Sequence, residues 1–478
     1  MSIFLISTYM FAYQGDANMF VPLTWRALSL MVIILFIAGW GAPVEAAREE
    51  KPAGTMEQTP GAHEELTLER SIQLALSRNP RFLSSQEEIE AAKNIRKRAW
   101  SEFFFKVKGT YSYTRFHKTP TLQFLQLPGI SGDISTGTRD NFNFLGVVEQ
   151  PLFTGFSIVT QYELAKLGFD LAKVRYKSAR LDLIRDVKTG FFSILRAEKG
   201  VYVAEQAVVQ LQSQVKRARD FYEVGMTARN DYLKANVSLA NAEQELTIAR
   251  NAVELTKADF ATLLRLLVDT PVQVKDVLNY KPLSLKLDEA YKQAHANRPQ
   301  LTEAALAVEV ATKEVKLAQA GYYPNVALSF NYSKFGDTYK LDGSPFEKEE
   351  DWNVTTALNW TFWEWGSTKY QVEEKKSRVK QANHALQSVG DAVDLEVKRA
   401  FLTLREAEKN IGVAQTSIEE AEENYRMEVE RYKQQVNTNT DVLEANFLLA
   451  NARTNHYDAL FRYNVAVAEL QRSMGLAE

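Results

Sequence analysis

Cysteine is missing from all 478 residues, which excludes disulfides, thiolate metal sites, cysteine nucleophiles and lipid attachment through an N-terminal cysteine. Histidine is scarce: His63, His117, His295, His384 and His456 stand far apart without ligand spacing, and none reads as catalytic. Charge of one sign is also lacking, since 57 basic and 60 acidic residues leave a net charge of -3 and no pull toward nucleic acid. No polar grouping has the convergence that catalysis needs, so no enzyme activity, cofactor or metal is expected. The one sustained apolar run, residues 27–40, is about 14 residues long, short of the roughly 20 needed to span a bilayer as helix. It follows Arg26 and leads to Val44 and Ala46, small residues that fit a signal-peptidase site. Residues 1–46 therefore read as a signal peptide and 47–64 as a flexible, Pro- and Gly-bearing lead-in.

Proline is absent from two long stretches, between Pro151 and Pro271 and after Pro345. Because proline breaks helices, these are where long helices can run. Each stretch carries one break, at Val224-Gly225-Met226-Thr227 and at Val436-Asn437-Thr438-Asn439, so helical hairpins are expected over 157–267 and 367–474. The first arm of each is about 67 residues, on the order of 100 Å, longer than a globular core requires. In the return arm of the second hairpin, Val442, Leu449, His456, Tyr463 and Leu470 form one heptad line and Ala445, Ala452, Ala459, Ala466 and Ser473 the other. The first hairpin gives Tyr232, Leu239, Leu246, Val253, Phe260 and Leu267 against Ala235, Ala242, Ala249, Thr256 and Leu263. Such repeats impose left-handed supercoiling, and the alanine lines are expected to lie between neighbours in a ring of subunits.

The two hairpins are copies of one another. Asp231-Tyr232-Leu233-Lys234-Ala235-Asn236 answers Asp441-Val442-Leu443-Glu444-Ala445-Asn446 at an offset of 210, while Asn79-Pro80 answers Arg298-Pro299 at 219. The difference of nine residues lies between Phe105 and Pro151, as an indel in a loop. This divides the chain into a first repeat, 65–270, a linker, 271–284, and a second repeat, 285–478.

Each repeat also holds two segments of period two: 106–115 and 141–153, then 325–334 and 352–362. Val326, Leu328, Phe330 and Tyr332 alternate with Asn325, Ala327, Ser329 and Asn331; Trp352, Val354, Leu358, Trp360 and Phe362 alternate with Asn353, Thr355, Ala357, Asn359 and Thr361. A soluble sandwich alternates in the same way, but the length near ten residues, the terminal aromatics and the export signal favour membrane strands. Strands cross a bilayer only as a closed barrel, and the smallest bacterial barrels have about eight, so four strands must be pooled with those of other copies. The expected product is an oligomeric conduit.

Several elements now line up: Leu66-Thr67-Leu68-Glu69-Arg70-Ser71-Ile72 running on to Asn79-Pro80, Tyr323-Pro324-Asn325-Val326, the strand exits Gln150-Pro151-Leu152-Phe153-Thr154-Gly155 and Trp360-Thr361-Phe362-Trp363-Glu364-Trp365-Gly366, and the hairpin tips Val224-Gly225-Met226 and Thr440-Asp441-Val442-Leu443. In this order and in duplicate, over essentially the whole mature chain, they resemble the TolC family of outer-membrane efflux channels. The resemblance implies an α+β membrane protein with a duplicated helix-strand-strand-helix-helix unit. It implies a homotrimer with a twelve-stranded β-barrel in the lipid of the bacterial outer membrane and a coiled-coil α-barrel in the periplasm. It further implies a passive exit duct of a tripartite efflux or type I secretion system, served by a periplasmic adaptor and an inner-membrane RND, ABC or MFS transporter. The rival reading is a periplasmic coiled-coil adaptor or scaffold, which would have no use for the four strands.

The tips hold the candidate functional residues. Asp441 and Glu444, three apart, share a helix face, and resemblance to the family's closed periplasmic aperture suggests acidic rings in the lumen. For Asp441 a capping box with Thr438 is a second role, compatible with the first. Tyr432 and Asp231 match family positions that bridge neighbouring hairpins and hold the tunnel shut, and Asn437 stands where a basic partner occurs in the family. Adaptor docking is expected at Gly225, Met226, Thr227, Val436, Asn437 and Thr438.

Overall fold

The computed structural model describes residues 65–123 and 133–477; the expected signal peptide, 1–46, and lead-in, 47–64, lie outside them. The described elements are α1 (Leu68–Arg78), α2 (Pro80–Ser101), β1 (Lys106–Arg115), β2 (Thr121–Gln123), β3 (Asp133–Ser135), β4 (Asp140–Thr154), α3 (Ser157–Glu223), α4 (Arg229–Leu263), α5 (Leu287–Asn297), α6 (Pro299–Gln319), β5 (Asn325–Gly336), β6 (Glu350–Asn359), α7 (Ser367–Lys433) and α8 (Asn439–Ser473). Both long helices have 67 residues and both return helices 35.

The ends of these helices are set by local chemistry. Pro80 and Pro299 occupy first-turn positions, where the missing N–H would have no helical partner anyway. Asn79 caps α2 by accepting from the N–H groups of Arg81 and Phe82 at 3.0 and 3.3 Å. α4, expected to reach 267, ends at Leu263 because Arg265 turns to φ 59°, letting Leu266 N–H donate to Ala261 O at 2.8 Å. This is a Schellman stop. Gly225, Gln435 and Gly475 close α3, α7 and α8 in the same left-handed way.

α3 packs along both α4 and α8, and α7 along α8, so the helices stand in the order α4, α3, α8, α7. α8 has neighbours on both sides and buries Val442, Leu449, Tyr463 and Leu470 together with Ala445, Ala452, Ala459, Ala466 and Ser473. The alanine line of the second copy is thus a seam inside the chain, contrary to the expectation that it lies between subunits. On α4, which packs along α3 and touches α8 far less, only Ala235, Val253, Phe260 and Ala261 are buried. His456 is a half-buried seam residue whose burial pushes its imidazole pKa down.

The bundle core centres on Phe191, Ile194, Phe260 and Leu264, all nearly inaccessible. Gly190 lies in mid-helix because a Cβ there would come within 2.8 Å of the Phe260 ring. Val272, Val274 and Leu278 of the linker fold onto this core, and Leu66 N–H donates to Gln273 O at 2.8 Å.

The four long strands form one antiparallel sheet in the order β1, β4, β5, β6. The register puts Tyr332 opposite Trp352, Phe330 opposite Val354 and Val326 opposite Leu358 on one face. Asn331 opposite Asn353 and Ser329 opposite Thr355 fall on the other, where Asn331 Nδ2 donates to Asn353 Oδ1 at 3.0 Å. β6 stops at Asn359, so Trp360 and Phe362 lie past its end, and the Trp360 indole N–H donates to Tyr322 O at 3.2 Å. The length difference between the copies falls in the β1–β4 and β5–β6 connections, the first of which contains the β2–β3 ribbon. Within the sheet β1 and β6 each have one unpaired edge. Among the described residues no helix is long and apolar enough to cross a membrane.

Candidate functional site

The two hairpin tips sit side by side, joined where the end of α7 meets the end of α3 and the start of α4. The Tyr432 side chain is buried there, its ring 5.4 Å from that of Phe221. Its hydroxyl lies beside Thr227 and Asp231 without a well-formed hydrogen bond, while Thr227 Oγ1 donates to Asp231 Oδ2 at 2.7 Å. Burial, and then the Asp231 charge, push the Tyr432 phenol above its usual pKa. The structure therefore brings Tyr432 to Thr227 and Asp231, some 200 residues earlier in the sequence.

Asp441 closes the first turn of α8 in a capping box. Its Oδ2 accepts from the Thr438 N–H and hydroxyl, both at 2.8 Å, and these donors hold its pKa below the ordinary carboxylate value. Oδ1 of Asp441 has no hydrogen-bond partner among the described residues. Glu444, one turn on, is exposed and likewise without a partner there. Asn437 turns inward, donating to Glu428 O at 3.0 Å and to the Glu428 carboxylate. Gly225 stands at φ 77° and its counterpart Gln435 at φ 63°, so both tips take the same turn, with and without glycine. Val224, Met226 and Val436 are 67, 53 and 63% exposed, so the tips present apolar side chains at their surface.

A buried amide relay joins the hairpins behind these residues. Gln214 Nε2 on α3 donates to Asn439 Oδ1 at 2.7 Å, and Asn439 Nδ2 donates to Asp231 O at 2.8 Å. One turn along α3 and two along α8, Asn446 Nδ2 donates to Gln210 Oε1 at 2.7 Å. Gln214, Asn439 and Asn446 are all buried. Nearby, burial raises the pKa of Tyr425, with Arg217 and Asn446 pulling it the other way. The relay escaped the sequence reading, although a signal existed: Asn439 and Asn446 are seven apart and flank the heptad lines.

The pattern of two repeats, each with a long helical hairpin and two strands, matches the model of the outer membrane efflux protein family at residues 71–264 and 290–476. The chain belongs to this family. It is an outer-membrane efflux channel protein that reaches into the periplasm, and not an enzyme. The outer membrane efflux protein BepC of Brucella suis biovar 1 is 22% identical over 342 residues, covering 71% of this chain and 70% of BepC. The outer membrane protein TolC of Escherichia coli K12 is 21% identical over 314 residues, covering 63% of each. Among solved structures, CusC aligns with a TM-score of 0.73 at 14% identity, over 88% of this chain and 96% of CusC.

Proposed function

We propose that three copies of this efflux protein close into one conduit: a twelve-stranded barrel in the outer membrane continued by a ring of helices in the periplasm. The observation that carries the proposal is that both layers of the chain end in unsatisfied edges on both sides, β1 and β6 in the sheet and α4 and α7 among the helices. An open sheet edge is not tolerated in lipid. The helices point the same way position by position. Phe192 and Val203 of α3 are 7 and 5% exposed, whereas their repeat counterparts on α7, Leu402 and Val413, are 54 and 69% exposed. A face that α3 covers with α8 is left bare on α7, and α4 of the next copy is the matching cover. Heat-resistant trimers should be recovered from outer-membrane detergent extracts; a water-soluble monomer would refute the conduit.

The conduit is passive and receives cargo from an energised inner-membrane transporter of the RND, ABC or MFS type through a periplasmic adaptor. The exposed Val224, Met226 and Val436, with Gly225, Thr227, Asn437 and Thr438, form the docking surface for that adaptor. Docking spreads the hairpins and breaks the Tyr432–Asp231 contact, opening the tunnel. Asp441 and Glu444 place acid near the aperture, Glu444 with its carboxylate free for the lumen. In bilayer recordings the double neutralisation Asp441→Asn with Glu444→Gln should reduce cation preference. Unchanged selectivity would place both carboxylates away from the ion path.

A further inference from the structure

We infer that Asp441 is clasped at every border between subunits by Arg229 and Tyr222 of the adjacent copy. The inference rests on the ring of three chains proposed above and supplies the residues of its lower border. In such a ring six hairpins alternate, first copy and second copy, so each border inside a chain has a counterpart between chains. Inside a chain the border is α3 against α8; between chains it is α7 against α4 of the next copy. Equal helix lengths and the constant offset of 210 allow each contact of the first kind to be carried over to the second.

Carried over, the hydrogen bond from Asn439 to the backbone carbonyl of Asp231 becomes one from Arg229 of the adjacent copy to the carbonyl of Asp441. The approach of the Tyr432 hydroxyl to Asp231 becomes the approach of Tyr222 of the adjacent copy to Asp441. The groups required are in the right state. Arg229 is exposed and has no ion pair among the described residues. Tyr222 is 40% exposed, stacked on Tyr232 at 6.4 Å, and its hydroxyl has no hydrogen-bond partner there. Asp441 keeps Oδ1 open while Thr438 occupies Oδ2. The guanidinium is longer than the amide it replaces, so it reaches from the carbonyl to this carboxylate as well.

The two kinds of border then differ in chemistry. Inside a chain the tips are held by buried neutral amides, which salt does not screen; between chains they are held by a charged pair at the rim, which salt does screen.

Because the chain has no cysteine, paired cysteines test the contact against a silent background. In the full-length protein Tyr222→Cys and Asp441→Cys, carried on separate co-expressed chains and treated with a short bismaleimide, should give a covalent dimer on a denaturing gel. Leu402→Cys with Arg250→Cys, counterparts of the core residues Phe192 and Leu460, reports on the ring itself. A linked control without a linked tip pair overturns the clasp and leaves the ring standing; failure of both overturns the two together. The charge is tested separately, because Arg229→Glu should increase the leak of the closed channel and Arg229→Glu with Asp441→Arg should lose that increase. An unchanged leak in Arg229→Glu, or no loss of the increase in the swap, removes the ion pair from the proposal.

Discussion

Replacing Glu396 by alanine is expected to destabilise each chain by about 3–5 kcal/mol, the cost of stranding a buried charge. Arg298, at the start of α6, is 3% exposed and donates to Glu396 Oε2 at 2.5 Å and to Arg472 O at 2.7 Å, while its Nε is buried without a partner. Arg472 on α8 also contacts Glu396 and donates to Asp182 on α3 at 2.7 Å, so one cluster ties four helices together. Without Glu396, Arg472 retains Asp182, but the Arg298 guanidinium keeps only a backbone carbonyl. The repeat provides an internal comparison. At the equivalent position Asn79 donates to Leu263 O at 3.1 Å, holding the end of α4 with a neutral amide. The junction therefore works without charge, and Glu396→Leu combined with Arg298→Met should recover most of the loss. The readout is the thermal inactivation temperature of the detergent-solubilised assembly for both singles and the double. A Glu396→Ala loss below about 1 kcal/mol would mean that solvent screens this cluster as it does a surface pair.

How far these features were legible in the sequence depends on whether their signal was periodic. The proline-free stretches and the heptad lines from Tyr232 and Val442 announced long supercoiled hairpins, because a helix of that length is constrained at every turn. The alternation around Phe330 and Val354 announced strands for the same reason. Which neighbour covers a seam was not legible. Ala445 and Ala452 look the same whether they meet their own chain or another, and only the packing order α4, α3, α8, α7 decided it. At the tips, the Asp441 capping box was readable from the spacing Thr438 to Asp441, a local signal. Gln214 with Asn439 was not, since its partners are joined by tertiary packing across 225 positions and amides at helix surfaces are ordinarily solvated. Arg298 with Glu396 escaped for the same reason, and its repeat counterpart, an asparagine, gave no hint of charge.

The second large effect is expected in the sheet, where the two faces should respond in opposite ways to the same substitution. Val354 lies near the middle of β6, is 58% exposed and pairs across the register with Phe330 on the apolar face. Arginine there would face hydrocarbon, costing about 2–4 kcal/mol per chain at the midplane and roughly 6–12 kcal/mol in a ring of three. Thr355, the next residue, lies on the face of Ser329 and Asn331, so arginine there stays in water. Val354→Arg should thus lose the heat-resistant, membrane-inserted trimer, while Thr355→Arg assembles and shifts ion preference toward anions. The contrast separates lipid exposure from damage to the strand, since both substitutions place the same side chain in the same strand. Equal insertion of the two variants would mean that the apolar face does not meet lipid; loss of Thr355→Arg alone would invert the barrel. Because β1 and β6 are the sheet edges, Val354 sits at the seam between chains in the proposed ring of three, and a failure confined to Val354→Arg would place lipid contact at that seam.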